Sequence, residues 1–152
     1  MKNLIAMGWR EWLQLPDLGI KRVKAKVDSG ARSSSLHAEQ IELFELRGEM
    51  GVRFVVLPLQ RSRLRPVACQ ALLHDERYVK SSNGSLELRP VIRTSVSWDG
   101  QSWDIDMTLT SRDLMGFRML LGREAVRRRY VIDAGRSYVG GRPLMPKRER
   151  RK

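Results

Sequence analysis

Asp28 is the side chain of this sequence whose surroundings best suit acid–base chemistry. The segment before it, residues 23–27, alternates apolar residues with two lysines, which predicts a strand with one buried face. Ser29 and Gly30 follow directly and are typical of a tight turn. A rigid strand thus delivers a carboxylate at its end, where it can act as a general base. The alternative is an Asp28 that only hydrogen-bonds its own turn.

The segment 23–31, an apolar strand followed by Asp-Ser-Gly-Ala, resembles the catalytic loop of retropepsins, the aspartic proteases of the retroviral type. The second landmark of that family is a pair of apolar residues, then Gly-Arg, then a short helix, and residues 119–126 match it. More closely, the run 24–138 is similar to a bacterial family of small retropepsin-like proteins often labelled "ATP-dependent zinc protease". That family shares Asp-Ser/Thr-Gly-Ala-Arg, Ser-Ser-Asn-Gly and Arg-Met-Leu-Leu-Gly-Arg segments, and all three occur here.

The resemblance implies an aspartic endopeptidase, which needs two carboxylates about 3 Å apart that share a proton across a water. The chain has one Asp-Ser-Gly, so a homodimer would pair Asp28 with its symmetry mate. Ser29 would lock the two loops together through its hydroxyl, and Gly30 would present its carbonyl to the substrate. Ala31 would pack behind the loop, next to the substrate.

A second apolar-Asp-small-Gly segment lies at residues 131–135 and could supply the other carboxylate from an internal pseudo-dimer. We do not favour this arrangement, because Ala134 lacks a hydroxyl and the preceding segment is too short for a second lobe. In retropepsins this region supplies dimer contacts. The sequence therefore predicts an Asp133 that lies at a turn.

Residues 78–88 predict a hairpin, because Asn83-Gly84 joins two alternating segments. Its position between the two family motifs is that of the retropepsin flap, which closes over bound peptide and excludes water. The resemblance therefore adds Ser82, Asn83 and Gly84 to the predicted substrate-binding residues. The alternative is an ordinary surface hairpin.

Leu121, Gly122 and Arg123 are the predicted support of the catalytic loop. In retropepsins the arginine pairs with an acidic residue directly after the loop alanine, but this chain has Arg32 there. Two arginines cannot pair, so the contact must be rewired. Alternatively, Arg32 points into the cleft and binds an acidic substrate side chain.

The charge of the chain also favours acidic partners. The net charge is +12, of which the tail 147–152 carries +4 and the rest +8. Members of the similar family are associated with enzymes that add glutamates to a ribosomal protein. The resemblance therefore implies poly-α-glutamate as substrate, with a glutamate ligase or a ribosomal protein as partner.

No metal or cofactor is predicted. The candidate ligands His37, Cys69, His74 and Asp75 form neither a His-Glu-x-x-His nor a Cys-x-x-Cys pattern, so we expect surface histidines and a core cysteine. A phosphate-binding Gly-x-x-x-x-Gly-Lys-Ser/Thr loop is absent from the sequence as well. Neither zinc nor ATP is therefore expected.

Two functions without catalysis remain open. A basic barrel could bind RNA or the ribosome through Arg61, Arg63, Arg65 and the tail, although the sequence has no stacking-aromatic motif of a known RNA-binding fold. A retropepsin fold could also act only as a regulator of a partner enzyme.

The turn signals predict an all-β fold, a small closed barrel of the retropepsin type with one short C-terminal helix. We expect strands at 9–15, 36–46, 51–59, 67–73 and 130–132, hairpins at Asn83-Gly84 and Asp99-Gly100, and a helical turn at 124–129. One domain over 1–146 and a disordered basic tail over 147–152 are predicted. A single cysteine and the lack of a signal or membrane-spanning segment favour the cytoplasm.

Overall fold

The computed structural model describes residues 4–60, 62–81 and 83–143, most of which lie in strands. The strands are β1 (Ile5–Leu15), β2 (Ile20–Asp28), β3 (Ser34–His37), β4 (Glu39–Leu46), β5 (Glu49–Val56), β6 (Val67–Leu72), β7 (Asp75–Lys80), β8 (Leu86–Trp98), β9 (Gln101–Thr110), β10 (Met119–Gly122) and β11 (Tyr130–Ser137). One helix, α1 (Arg123–Val126), and a 3-10 turn at Pro16–Leu18 complete the described part. The predicted all-β class with one short helix is confirmed. None of the helices described here has the length and apolar character needed to cross a membrane.

Six strands form a ring. The large sheet has the order β11-β1-β2-β10-β3-β9-β8-β7, and β1 also pairs with β8 through Gln14 and Ser97. Because one residue pair closes the ring, the predicted barrel is present only in an incomplete form. A separate three-stranded sheet, β4-β5-β6, was not predicted as a sheet of its own.

β2 buries one face, as its alternation predicts. Val23, Ala25 and Val27 are buried, and Met119 and Leu121 of the adjacent β10 are buried with them. Burying a side chain of this size contributes about 1.5–3 kcal/mol. The lysines between the valines of β2 lie on the outer face of the ring.

The predicted strand over residues 36–46 is two strands in different sheets. β3 pairs with β9 and β10 inside the ring, whereas β4 pairs with β5 in the separate sheet. Ala38 lies between them and is buried.

Two predictions at the C-terminal end need correction. The helical turn expected over 124–129 is one turn, α1, that begins one residue earlier. Asp133 lies in β11 rather than at a turn, because β11 extends to Ser137 through parallel pairing with β1. The Asp133 carboxylate nevertheless accepts a local hydrogen bond from the N–H of Gly135 at 2.9 Å.

The Asp99-Gly100 hairpin is confirmed as a two-residue connection between β8 and β9. Both residues have positive φ angles, 47° and 78°, the backbone that a twisted two-residue hairpin requires. Glycine adopts such angles without steric cost. The turn chemistry in the sequence thus sets the register of β8 and β9.

The fully buried Glu11 ties three parts of the chain together. One carboxylate oxygen accepts from the N–H of Gly8 at 2.6 Å and of Val139 at 3.0 Å. The other accepts from Trp98 Nε1 at 3.0 Å and the N–H of Gly140 at 3.1 Å. A buried carboxylate with four donors joins β1, β8 and the segment after β11.

We predict that Glu11→Gln lowers the free energy of unfolding by about 3 kcal/mol, because its amide NH₂ would face two buried N–H donors and leave them unpaired. Urea unfolding followed by tryptophan fluorescence measures the change. Glu45→Gln, at an exposed position of β4, is the matched control and should leave the midpoint unchanged. Equal midpoints for both variants would contradict the role given to Glu11.

Candidate active site

Asp28 is the last residue of β2, and its turn holds the carboxylate in place. Its Oδ1 accepts a hydrogen bond from the N–H of Gly30 at 2.9 Å, and its carbonyl accepts one from the N–H of Ala31 at 3.2 Å. Asp28 is partly exposed, and Ser29 and Gly30 are exposed. The turn therefore presents the carboxylate at the surface of the protomer.

The Gly122-Arg123 segment lies directly against this loop. Gly122 pairs with Asp28 in parallel register, and its N–H donates to the buried Ser34 Oγ at 3.0 Å. A Cβ atom on Gly122 would lie 2.6 Å from the backbone C and O of Ser33, closer than real contacts allow. The N–H of Arg123 donates to the carbonyl of Ala31 at 2.8 Å. The structure thus brings together the two sequence motifs, with Leu121 buried behind them.

Glu124, which sequence reasoning missed, is the acidic residue nearest this loop motif. Arg32 Nε lies 3.3 Å from Glu124 Oε1, and Arg127 Nη2 lies 3.2 Å from its Oε2. Arg123 Nη1 lies 3.5 Å from the carbonyl of Gly30. The acidic residue of this contact thus follows Arg123, whereas in retropepsins it follows the loop alanine. The position of Glu124 directly after the Gly-Arg motif is the sequence feature that could have identified it.

A groove of about 1110 Å³ opens beside the loop. Its lining includes Gly30, Ala31 and Arg32 at one end and residues 77–81 of β7 and its loop at the other. Asp28 and Ser29, which precede Gly30, are not among the residues that line it. In a single chain, Asp28 and Ser29 therefore lie at the edge of the groove, whereas Gly30 lines it.

The predicted hairpin is present, with β7 and β8 paired from Lys80 and Leu86 outward. Its loop is longer than two residues, and Gly84 has a φ of +87° while its N–H donates to the carbonyl of Ser81 at 2.9 Å. The side chain of Ser81 hydrogen-bonds Asn83. Asn83 and Gly84 are exposed at the tip, beyond the described residues that line the groove. Ser82 lies outside the described residues, as do Arg61 and the tail.

Arginine pairs that share one carboxylate surround the groove. Asp106 accepts from Arg93 Nη1 and Arg77 Nη2, each at 2.9 Å. Burial raises the pKa of Asp106, but the hydrogen bonds from Arg93 and Arg77 outweigh it and lower the pKa below the usual range. Arg77 also donates to Asp75 at 2.9 Å. The carboxylate is ionised and the guanidinium groups are fixed in place.

Glu87, one strand pair from the hairpin loop, holds the second such pair. Its Oε1 accepts from Arg89 Nε at 2.7 Å and from Thr110 Oγ1 at 2.7 Å, and its Oε2 accepts from Arg112 Nε at 2.9 Å. Burial raises the pKa of Glu87, but these three hydrogen bonds lower it further than burial raises it. The buried Arg89 also donates to Ser35 Oγ at 3.1 Å, which links the hairpin to the ring.

The candidate metal ligands are engaged elsewhere. His37 Nδ1 lies 2.9 Å from the carbonyl of Arg112, and His74 Nε2 lies 3.7 Å from Asp106. Cys69 is buried, and burial raises the pKa of its thiol to about 11. Within the described ranges, no three His, Cys, Asp or Glu side chains come together as a metal-binding group.

Comparison with known proteins gives relatives of two kinds. The family described as RimB-like, retropepsin-like aspartic endopeptidase RimB, matches residues 6–143. Proteins named probable alpha-L-glutamate ligase are 44% identical over 139 residues in Shewanella halifaxensis and 50% identical over 127 residues in Desulfotalea psychrophila. These alignments cover 91% and 84% of this chain but only 30% and 27% of the relatives. The chain thus spans less than a third of the curated relatives it matches.

A solved structure supports the same relationship. A Legionella pneumophila protein of unknown function superposes with a TM-score of 0.75 at 25% identity. The match covers 91% of this chain and 99% of that one. With the family match over residues 6–143 and the adjoining Asp-Ser-Gly and Gly-Arg motifs, the chain belongs to the RimB-like family of retropepsin-like aspartic endopeptidases.

Proposed function

We propose that this chain is an aspartic endopeptidase whose catalytic pair is Asp28 and the same residue of a second copy. The observation that carries the proposal is the position of Asp28, at the end of a ring strand, with its carboxylate oriented by Gly30 and its loop packed on Gly122. One chain has one such aspartate at the edge of its groove. A two-fold dimer is the simplest arrangement that supplies the other.

The two carboxylates would divide the chemistry. The ionised Asp28 takes a proton from a water, whose oxygen attacks the scissile carbonyl carbon, while the protonated partner donates to the carbonyl oxygen. The tetrahedral intermediate then breaks its C–N bond as a proton passes to the leaving amine. The carbonyl of Gly30 and the hairpin tip at Asn83-Gly84 hold the extended peptide and exclude water.

The groove favours an acidic substrate. Its lining carries seven arginines and one lysine against four carboxylates. Anionic side chains are attracted to such a cleft, and guanidinium groups bind carboxylates bidentately. Because relatives named as glutamate ligases contain a segment similar to this chain, we propose glutamate-rich peptide, such as poly-α-glutamate, as the substrate. The proposed partner is a ligase of that kind or the ribosomal protein that it modifies, in the cytoplasm.

A non-catalytic module that binds a partner enzyme, the ribosome or RNA is the second candidate. One observation favours it: the lining of the groove in one protomer does not include Asp28 or Ser29. Peptide could therefore bind without reaching a carboxylate unless a second copy is present. The next two experiments distinguish the candidates.

We predict that Asp28→Asn lowers cleavage of poly-α-glutamate at least about 100-fold, because the amide cannot act as a general base. Product release from a labelled peptide, with and without a chelator, gives the rate. Asp133→Asn is the matched control, since Asp133 makes the same hydrogen bond to a glycine two residues on at the same 2.9 Å distance. Equal activity in wild type and Asp28→Asn would exclude the proposed mechanism, and loss with the chelator alone would indicate a metallopeptidase.

We predict that Asp28→Asn also inhibits the wild-type protein in mixtures. Mixed dimers would carry a single ionisable Asp28, so the activity of a fixed amount of wild type should fall as excess variant is added and subunits exchange. The specific activity of the wild type should also fall on dilution. Activity that is independent of both dilution and added variant would show that one protomer suffices.

We predict that Arg32→Gln raises the KM for a glutamate-rich peptide about 3- to 10-fold while leaving the KM for a neutral peptide unchanged. Arg32 is exposed beside Glu124 and lines the groove, so one charged contact to substrate would be lost. Arg53→Gln is the matched control, because Arg53 pairs with Glu42 at 3.1 Å in the separate sheet. Equal effects of the two variants would assign the change to net charge instead of to Arg32.

A further inference from the structure

The outer face of β1 and β2 carries a cluster of aromatic and basic side chains that do not line the groove. It consists of Arg10, Trp12, Lys24, Tyr138 and Arg142, which we call the aromatic–basic face. The rings of Trp12 and Tyr138 stack with centroids 6.0 Å apart and planes 28° apart. Both rings are partly exposed, and Arg142 is exposed.

Cations surround both rings. Lys24 Nζ lies 5.1 Å from the Trp12 ring centre and 5.7 Å from that of Tyr138. The Arg142 guanidinium lies 5.2 Å from the Trp12 ring, and that of Arg10 lies 5.0 Å from the Tyr138 ring. These distances are typical of cation–π contacts, which position the cations without neutralising them.

The cations of this face have no carboxylate partners among the residues that the structure describes. Among residues 4–60, 62–81 and 83–143, no carboxylate lies within ion-pair distance of Arg10, Lys24 or Arg142. The groove differs in this respect, since Asp106 and Glu87 each bind two of its arginines. Like charges held a few ångströms apart attract a polyanion.

Strand pairing fixes the arrangement. Trp12 lies directly opposite Lys24, and Arg10 lies opposite Lys26, so these side chains share one face of the ring. Lys26 Nζ is 3.6 Å from Met115 Sδ, and Met115 lines the groove. The aromatic–basic face therefore adjoins the groove on the same outer surface.

We propose that the aromatic–basic face binds single-stranded nucleic acid. Cations attract the phosphates, and the partly exposed rings together with the exposed Arg142 guanidinium offer surfaces on which unpaired bases can stack. A glutamate-rich peptide would use the cations but has no aromatic rings to stack on Trp12 and Tyr138. A duplex keeps its bases stacked on each other and so would not use the rings either.

The test measures anisotropy of a labelled short oligouridine with the full chain, alongside oligodeoxythymidine and poly-α-glutamate of similar length. We expect Trp12→Leu and Lys24→Glu each to weaken oligouridine binding about tenfold. Lys24→Glu should also lower the salt dependence of log K by about 0.7 for the lost phosphate contact. Comparison of the RNA and DNA oligomers shows whether the ribose hydroxyl contributes.

The control is Arg53→Glu, an equal change of charge in the separate sheet, which should bind oligouridine like the wild type. Thermal melting checks that each variant is folded, and Lys24→Glu, whose side chain lies on the outer face, decides the outcome if Trp12→Leu does not fold. Asp28→Asn should bind oligouridine with the affinity of the wild type, so the result does not depend on peptidase activity.

An unchanged oligouridine affinity in Lys24→Glu, or an equal loss of affinity in Arg53→Glu, would overturn the proposal. Two further results together would overturn it in favour of a surface for any polyanion. The first is weaker oligouridine binding by Lys24→Glu but not by folded Trp12→Leu, and the second is wild-type binding of poly-α-glutamate as tight as that of oligouridine.

Discussion

The close approach of Gly122 to the backbone of Ser33 is the constraint on which the candidate site depends. Because no side chain fits between them, β10 can lie in register with the end of β2 only with glycine at this position. That register places Arg123 and Glu124 against the carbonyls of Ala31 and Arg32. The Asp28 loop is thus shaped mainly by backbone contacts, which leaves the Ser29 side chain exposed and that of Asp28 partly exposed.

The charges on the outer surface are arranged in two different ways. Around the groove, Asp106, Glu87 and Glu124 each hold two arginines, so the guanidinium groups are ordered and partly neutralised. On the aromatic–basic face the cations rest on rings and keep their full charge. The first arrangement suits the proposed recognition of individual carboxylates, and the second suits the proposed binding of phosphates with bases. The two proposals thus assign different anions to two surfaces whose cations are held in different ways.

The parts of the fold that were predicted correctly are those with a local cause. The β2 alternation, the Asp99-Gly100 turn and the Gly-Arg motif each act over a few residues, so the sequence reveals them. The incomplete closure of the ring, the separate β4-β5-β6 sheet and the split of residues 36–46 depend on which distant strand each segment pairs with. Glu11 was missed for the same reason, because Trp98 and Val139 lie far from it in sequence. Glu124 adjoins the Gly-Arg motif, but its contact with Arg32 joins segments that are distant in sequence.

β8 connects the β7–β8 hairpin to the point where β1 and β8 close the ring. Its first residue, Leu86, belongs to the hairpin, and near its other end Ser97 makes the one pair that closes the ring, beside the bond from Trp98 to Glu11. β8 has 13 residues and pairs with β9 along most of its length, so it is a stiff connection between the two. Because Trp98 at this end of β8 donates to the fully buried Glu11, a side-chain hydrogen bond supplements the single strand pair that joins β1 and β8.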